Sequence, residues 1–113
     1  MRIDMQRHLK RLKKLLAAAC ESVSIQGEIQ WDAASSTFGI PGSGVEIAVE
    51  TRDSGFGWRV REIYEVPDLR DGGHRPVEDV IARLMPGDEV EATRLAVLRA
   101  VSRRLDIALD AAA

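Results

Sequence analysis

Cys20 is the only cysteine in the sequence, and His8 and His74 are its only histidines; a thiol and an imidazole can each serve in catalysis or as a metal ligand. A thiolate attacks a substrate when a neighbouring base or cation activates it, and a metal site needs several ligands brought together. Neither histidine stands at a spacing from Cys20 that indicates either arrangement. We therefore interpret Cys20 as a small buried hydrophobic residue, and we predict no catalytic residue, no metal site and no cofactor.

Glu62 is a carboxylate that strict alternation places on the apolar side of a predicted strand, with Trp58, Val60 and Tyr64. A carboxylate on such a face is costly unless it is paired. Three explanations stay open. A β-bulge turns Ile63 inward instead, or Glu62 lies at the rim and meets a cation from the first helix. In the third, Glu62 is catalytic, although no second acid or base accompanies it.

Charge is distributed unevenly along the chain. Residues 1–20 contain six basic residues and one acidic residue, whereas the rest contains ten basic and seventeen acidic residues. Apolar residues recur every three or four positions from Met5 to Ala19, which predicts an amphipathic helix. The simpler interpretation is that its cations form the solvated face of a packed helix. The functional interpretation is that they form a patch that follows the phosphate backbone of a nucleic acid. The candidate nucleic-acid contacts are Arg7, Lys10, Arg11, Lys13 and Lys14.

The middle of the chain predicts β-structure. Residues 22–31, 45–52 and 57–66 alternate apolar and polar side chains, and residues 37–40 form a short fourth candidate. A turn at residues 53–57 would pair Glu50 with Arg59, so that Val49 meets Val60. The open face would then carry a mixed-charge ladder, which serves either solubility or docking. Its predicted members are Glu46, Glu50, Arg52, Arg59 and Arg61.

The last third predicts a loop and two helices. Residues 67–74 have loop composition, and Arg70, His74 and Arg75 are candidate contacts for a protein partner. Pro76 suits the first turn of a short helix over residues 76–84. A long helix follows over residues 88–110. The predicted fold is α+β, an antiparallel meander of three to four strands with an N-terminal helix and two C-terminal helices packed on one face. Residues 1–113 form a single domain.

The long helix has more apolar surface than a helix on a small sheet needs. One broad stripe consists of Val90, Val97, Leu98, Val101, Leu105, Ala108 and Leu109. A second, smaller patch consists of Ala96, Ala100 and Ile107. Either the sheet and the first helix cover both, or one flank is left for another chain, including a second copy in a homodimer. We assign the smaller patch to the partner.

The α-β-β-β-α order resembles that of a double-stranded RNA-binding domain. That family carries a lysine cluster at the start of its last helix. The matching stretch here is PGDEVEATR, which is acidic, so the resemblance extends to element order and not to the phosphate-contacting residues. In scale, the chain is also similar to the small stoichiometric inhibitors and accessory proteins of phages and plasmids, such as anti-CRISPR proteins; no motif carries this likeness.

These observations predict a small, non-catalytic protein-interaction module with an inhibitory or regulatory role, of a kind that viruses encode. The alternative is a nucleic-acid-binding protein that uses the basic first helix. No apolar run is long enough to span a membrane, so we predict no membrane contact. The basic N-terminus lacks the apolar segment of a signal peptide, which favours the cytoplasm.

Overall fold

The computed structural model describes residues 3–23, 27–52 and 56–112. Two helices flank five strands. Their bounds in chain order are α1 Ile3–Val23, β1 Gln30–Asp32, β2 Thr37–Ile40, β3 Val45–Thr51, β4 Trp58–Pro67, β5 His74–Leu84 and α2 Glu89–Ala112. The predicted α+β class is confirmed, with one strand more and one helix fewer than the prediction.

The strands form a single antiparallel sheet in the order β1-β2-β3-β4-β5, so each strand pairs with its neighbours in sequence. The predicted register is confirmed: Glu50 pairs with Arg59, and Val49 pairs with Val60. The short candidate at residues 37–40 is strand β2. Alternation and turn chemistry are sufficient here because each hairpin joins strands that are adjacent in the chain.

The predicted short helix over residues 76–84 is wrong, because this segment is the edge strand β5. Val60 pairs with Ala82 but Arg61 pairs with Val80, so Ile81 is an extra residue in a β-bulge. A bulge breaks the two-residue alternation of a strand. The apolar residues of β5 are therefore spaced irregularly, and the resulting pattern imitates the spacing of a helix.

The predicted strand over residues 22–31 is also largely wrong. Helix α1 continues to Val23, residues 24–26 lie outside the described part of the chain, and β1 contains only three residues. Gly27 has a φ of 76°, in the left-handed region that an extended strand does not use. The alternation that we took as one strand therefore includes the end of α1 and part of the short strand β1.

Both helices pack on one face of the sheet. Trp58, Phe38 and Ile47 have no exposed surface there, and they pack in one cluster with Leu12 and Leu16 of α1. Burying such side chains is the main favourable term in folding. The predicted apolar face of α1 is thus confirmed, and Cys20 is buried in the same cluster as predicted.

The opposite face of the sheet carries paired charges. Arg59 donates to Glu50 from Nε at 3.1 Å and from Nη2 at 2.9 Å. Arg61 contacts Glu50 and also Glu78 on β5, at 2.6 Å from Nη1 to Oε1. Three of the five predicted members of the ladder, Glu50, Arg59 and Arg61, therefore pair, and the pairing extends onto the strand that we had expected to be a helix. Ala48 is buried among these side chains.

Candidate interaction surface

Helices α1 and α2 lie side by side and run in the same direction. His8 Nδ1 forms an ion pair with Glu89 Oε1 near the start of both helices. Arg104 Nη2 donates to Oε1 of Glu28, shortly after the end of α1, at 3.1 Å. The segments His8–Val23 and Glu89–Arg104 contain equal numbers of residues, about 22 Å of helix each. The two helices therefore form one layer, and residues 7–14 of α1 lie level with residues 88–95 of α2.

The inner side of α2 is made of small residues. Ala92, Ala96 and Ala100 have no exposed surface, and their spacing of four places them on one face of the helix. Small side chains allow the sheet and α1 to approach the backbone of α2 closely. Our assignment of Ala96 and Ala100 to a partner is therefore corrected: both residues belong to the core of this chain. Ile107 is half-buried against the same cluster.

The outer side of α2 is apolar and exposed. Leu98, Leu105 and Leu109 are 50%, 58% and 69% exposed, although we had expected them to pack inside. Val101 is half-buried and Ala108 is exposed. We call these five residues the outer stripe. The spacing from Leu98 through Val101 and Leu105 to Ala108 is three, four and three, which is the repeat of helices that pair with another helix.

The outward side of α1 is basic. We call it the basic face, and it consists of Arg7, Lys10, Arg11, Lys13 and Lys14, all exposed. None of these side chains forms an ion pair with any residue in the described part of the chain. By contrast, six arginines elsewhere in the described part of the chain form ion pairs: Arg59, Arg61, Arg94, Arg99, Arg103 and Arg104. Helix α1 therefore presents uncompensated positive charge to solvent or to a partner.

Glu62 fixes the side of α2 that faces the sheet. Its side chain is 2% exposed, and Arg99 donates to it from Nε at 2.5 Å and from Nη2 at 3.1 Å. Arg103 Nε lies 3.7 Å from the same carboxylate. The hydrogen bonds to Glu62 raise the pKa of Arg99. A cation does meet Glu62, as one of our alternatives held, but it comes from α2 and not from α1.

Tyr64 extends this polar cluster toward β5. Its hydroxyl donates to Asp79 Oδ2 at 3.0 Å, and the guanidinium carbon of Arg103 lies 5.7 Å from the centre of its ring. The hydrogen bond to Asp79 is the largest cause of a raised pKa for Tyr64. Opposite charges and hydrogen bonds within the cluster hold α2 on the sheet.

The β4–β5 loop carries the other predicted contacts. Arg70 and Arg75 border a shallow polar depression together with Leu69, which is 96% exposed. His74 is the first residue of β5 and pairs with Pro67. The loop prediction is confirmed for residues 68–73. These residues lie on the hairpin tip, so they and the outer stripe are separate candidate contacts.

The predicted absence of catalytic chemistry remains a prediction. The depression beside Cys20 is lined by Ala17, Glu21, Gln30 and Trp31, and contains no histidine. Within residues 3–23, 27–52 and 56–112, no three metal-ligating side chains come together. Neither described helix combines the length and apolar content needed to cross a bilayer.

Comparisons with protein-family models, with curated proteins and with solved structures found no match to this chain. The arrangement of its own side chains therefore carries the functional argument. From the sequence we assigned Ala96 and Ala100 to the partner, whereas the structure buries them and exposes Leu98 and Leu105. The recurrence of alanine at every fourth position, Ala92, Ala96 and Ala100, could have identified the inner side of α2.

Proposed function

We propose that the protein is a small, non-catalytic protein-interaction module that binds its partner through the outer stripe of α2. The exposure of Leu98, Leu105 and Leu109 carries this proposal. Among the described residues, nine large hydrophobic side chains are exposed, and four of them lie on α2. Contiguous apolar surface on a soluble protein is typical of a binding site.

The two edges of the sheet and its open face support a partner less well. Edge strand β1 contains only three residues, and edge strand β5 has Pro76, a bulge and several charged side chains. These features protect a sheet edge against the addition of another strand. The charges on the open face of the sheet pair with one another, so they gain little from a new partner.

The biological role that we propose is stoichiometric: an inhibitor or accessory protein of the phage or plasmid kind, acting by occupying a surface of its target. We propose the cytoplasm as its location. The single cysteine is a free, buried thiol, which is compatible with a reducing compartment.

Capture from a host extract tests this function. We expect the wild-type chain to recover one companion in stoichiometric amount, and the L98Q/L105Q variant to lose it. The matched control is L69Q, which changes an even more exposed leucine on the hairpin tip. Loss of the companion with L69Q but not with L98Q/L105Q would place the contact on the hairpin and overturn our assignment.

A second candidate function, nucleic-acid binding, is favoured by the basic face of α1. Cations that neutralise phosphates release counterions, so binding weakens steeply with salt, with a slope of about −0.9 per phosphate contact on duplex DNA. The K10Q/K13Q/K14Q variant should abolish such binding to duplex DNA or single-stranded RNA. The control R70Q/R75Q/R83Q removes the same charge elsewhere and should retain it. A wild-type chain that binds neither probe at low salt ends this candidate.

A further inference from the structure

The basic face and the outer stripe lie on the same outward side of the helical layer. Both helices pack on one face of the sheet, so the side of each helix that is opposite its buried residues points away from the sheet. At 100° per residue, Lys14 is turned about 200° from the buried Leu12 of α1. Leu98 is likewise turned about 200° from the buried Ala96 of α2. One partner can therefore reach both surfaces from the same side.

The two surfaces also follow each other along the layer. Lys14 is the last residue of the basic face and lies level with Leu95 of α2. The outer stripe begins three residues later, about 4.5 Å farther along the axis, and neighbouring helices lie about 8–10 Å apart. From the level of Arg7 to Leu109 the layer measures about 32 Å, so a single helix of about 20 residues covers both surfaces.

The basic face stays positive when the carboxylates around it are counted. Asp4 and Asp88 offset two of its five charges, and Glu89 and Glu91 form ion pairs within the chain. Farther along α1, level with the outer stripe, the outward side carries the exposed carboxylate Glu21. The charge beside a bound partner therefore changes from positive at the start of the layer to negative along the stripe.

We propose that the partner segment on this surface is an acidic amphipathic helix of another protein. Its apolar residues pack on the outer stripe, and its carboxylates lie over the basic face. This inference rests on the proposed function, because it names the chemistry of the partner at the same surface. The heptad-like spacing of the stripe suits a helix laid along it, and the charge pattern requires that one end of that helix be acidic.

Two other classes of partner fit the combined surface less well. A nucleic acid would neutralise the basic face but would leave the apolar stripe exposed. An anionic bilayer would contact both surfaces, but Glu21 would then face negatively charged headgroups. The stripe also consists of leucine, valine and alanine, without the tryptophan and tyrosine that are enriched at bilayer interfaces.

Selection from a displayed library of random peptides, each about 20 residues long, identifies the chemistry that the surface prefers. We expect the enriched peptides to have apolar residues three and four positions apart and an excess of Asp and Glu toward one end. They should not bind L98Q/L105Q. Peptides that require both leucines but have no excess of acid would overturn this inference and support the proposed function. A library that yields no peptide dependent on these leucines also overturns the inference, and the extract capture then decides the proposed function separately.

The affinity of the most enriched peptide tests the role of the basic face. The control peptide has each Asp changed to Asn and each Glu changed to Gln. K10Q/K13Q/K14Q should raise the dissociation constant of the acidic peptide about tenfold, and that of the control peptide by less than about twofold. L98Q/L105Q should weaken both peptides, and circular dichroism checks that each variant is folded. Equal effects of K10Q/K13Q/K14Q on the two peptides would overturn the inference.

The position of the charge and the class of the partner need their own controls. R70Q/R75Q/R83Q removes three cations from another part of the chain and should leave the affinity of the acidic peptide unchanged. A loss as large as that of K10Q/K13Q/K14Q would show a general charge effect and contradict the assignment. Duplex DNA and vesicles of phosphatidylcholine with phosphatidylserine should not displace the peptide at about 0.15 M salt. Displacement by either probe would assign the surface to that class of ligand and overturn the inference.

Discussion

Arg99 on α2 donates two hydrogen bonds to Glu62 on β4, a carboxylate that is almost fully buried beneath the helix. This contact determines which side of α2 faces the sheet. Successive side chains of an α-helix are turned by about 100°, so with Arg99 directed toward the sheet, Leu98 is turned away from it and is half exposed. The outer stripe is thus a consequence of how the buried carboxylate is paired.

R99A should destabilise the fold, because it leaves the Glu62 carboxylate buried without its main partner. We expect a loss of about 1–3 kcal/mol in the free energy of unfolding, measured with urea. R94A is the matched control, since Arg94 also binds a glutamate, Glu91, but both side chains are exposed. Its effect should be clearly smaller, as for exposed pairs in general. Equal losses for the two variants would show that Glu62 is solvated.

H8A should also destabilise the chain, because Glu89 has no exposed surface and His8 is its ion-pair partner. Removing the imidazole leaves a buried carboxylate unpaired, and we expect a cost of about 1–3 kcal/mol. The control is Q6A, an exposed position on the same helix, which should change stability by less than about 0.5 kcal/mol. If H8A is as stable as Q6A, the start of α1 is not held against α2 by this pair.

Tyr64 offers a spectroscopic test because it is the only tyrosine in the chain. Ionising its phenol breaks the hydrogen bond to Asp79 and places two negative charges together, so its pKa is raised. The phenolate absorbance should therefore appear at higher pH than the ordinary value of about 10. D79N should move the titration to lower pH, and D71N, on the hairpin loop, should leave it unchanged. Identical titrations of wild type and D79N would rule out this contact in solution.

Much of the fold could be predicted because local patterns and hairpin register agree. The pairing of Glu50 with Arg59 follows from turn chemistry and alternation alone. Strand β5 could not be predicted in this way, because the bulge at Ile81 interrupts the alternation of side chains between the two faces of the strand. Its assignment requires knowledge that the long strand β4 needs a second hydrogen-bonding neighbour, which is tertiary information.

The candidate surface was harder to predict than the fold. Periodicity identifies the apolar sides of α2, but it does not say which side faces inward. The size of the side chains determines which side faces inward. Ala96 lies inside because its small side chain permits close packing, and the larger Leu98 lies outside. The partner of Glu62 could not be predicted from the sequence either. Arg99 is far from Glu62 in the chain, and only the packing of α2 on the sheet brings the two side chains together.

The most direct test of the account is the free energy of unfolding of L98Q/L105Q, measured by urea at a dilution where the wild type is a single chain. In our proposal, these leucines serve contacts outside the chain. We therefore expect a change of less than about 0.5 kcal/mol per site, whereas A96Q on the inner side should lose about 2 kcal/mol or more. A loss in L98Q/L105Q as large as that in A96Q would show that the outer stripe holds the chain's own fold, and would contradict the account.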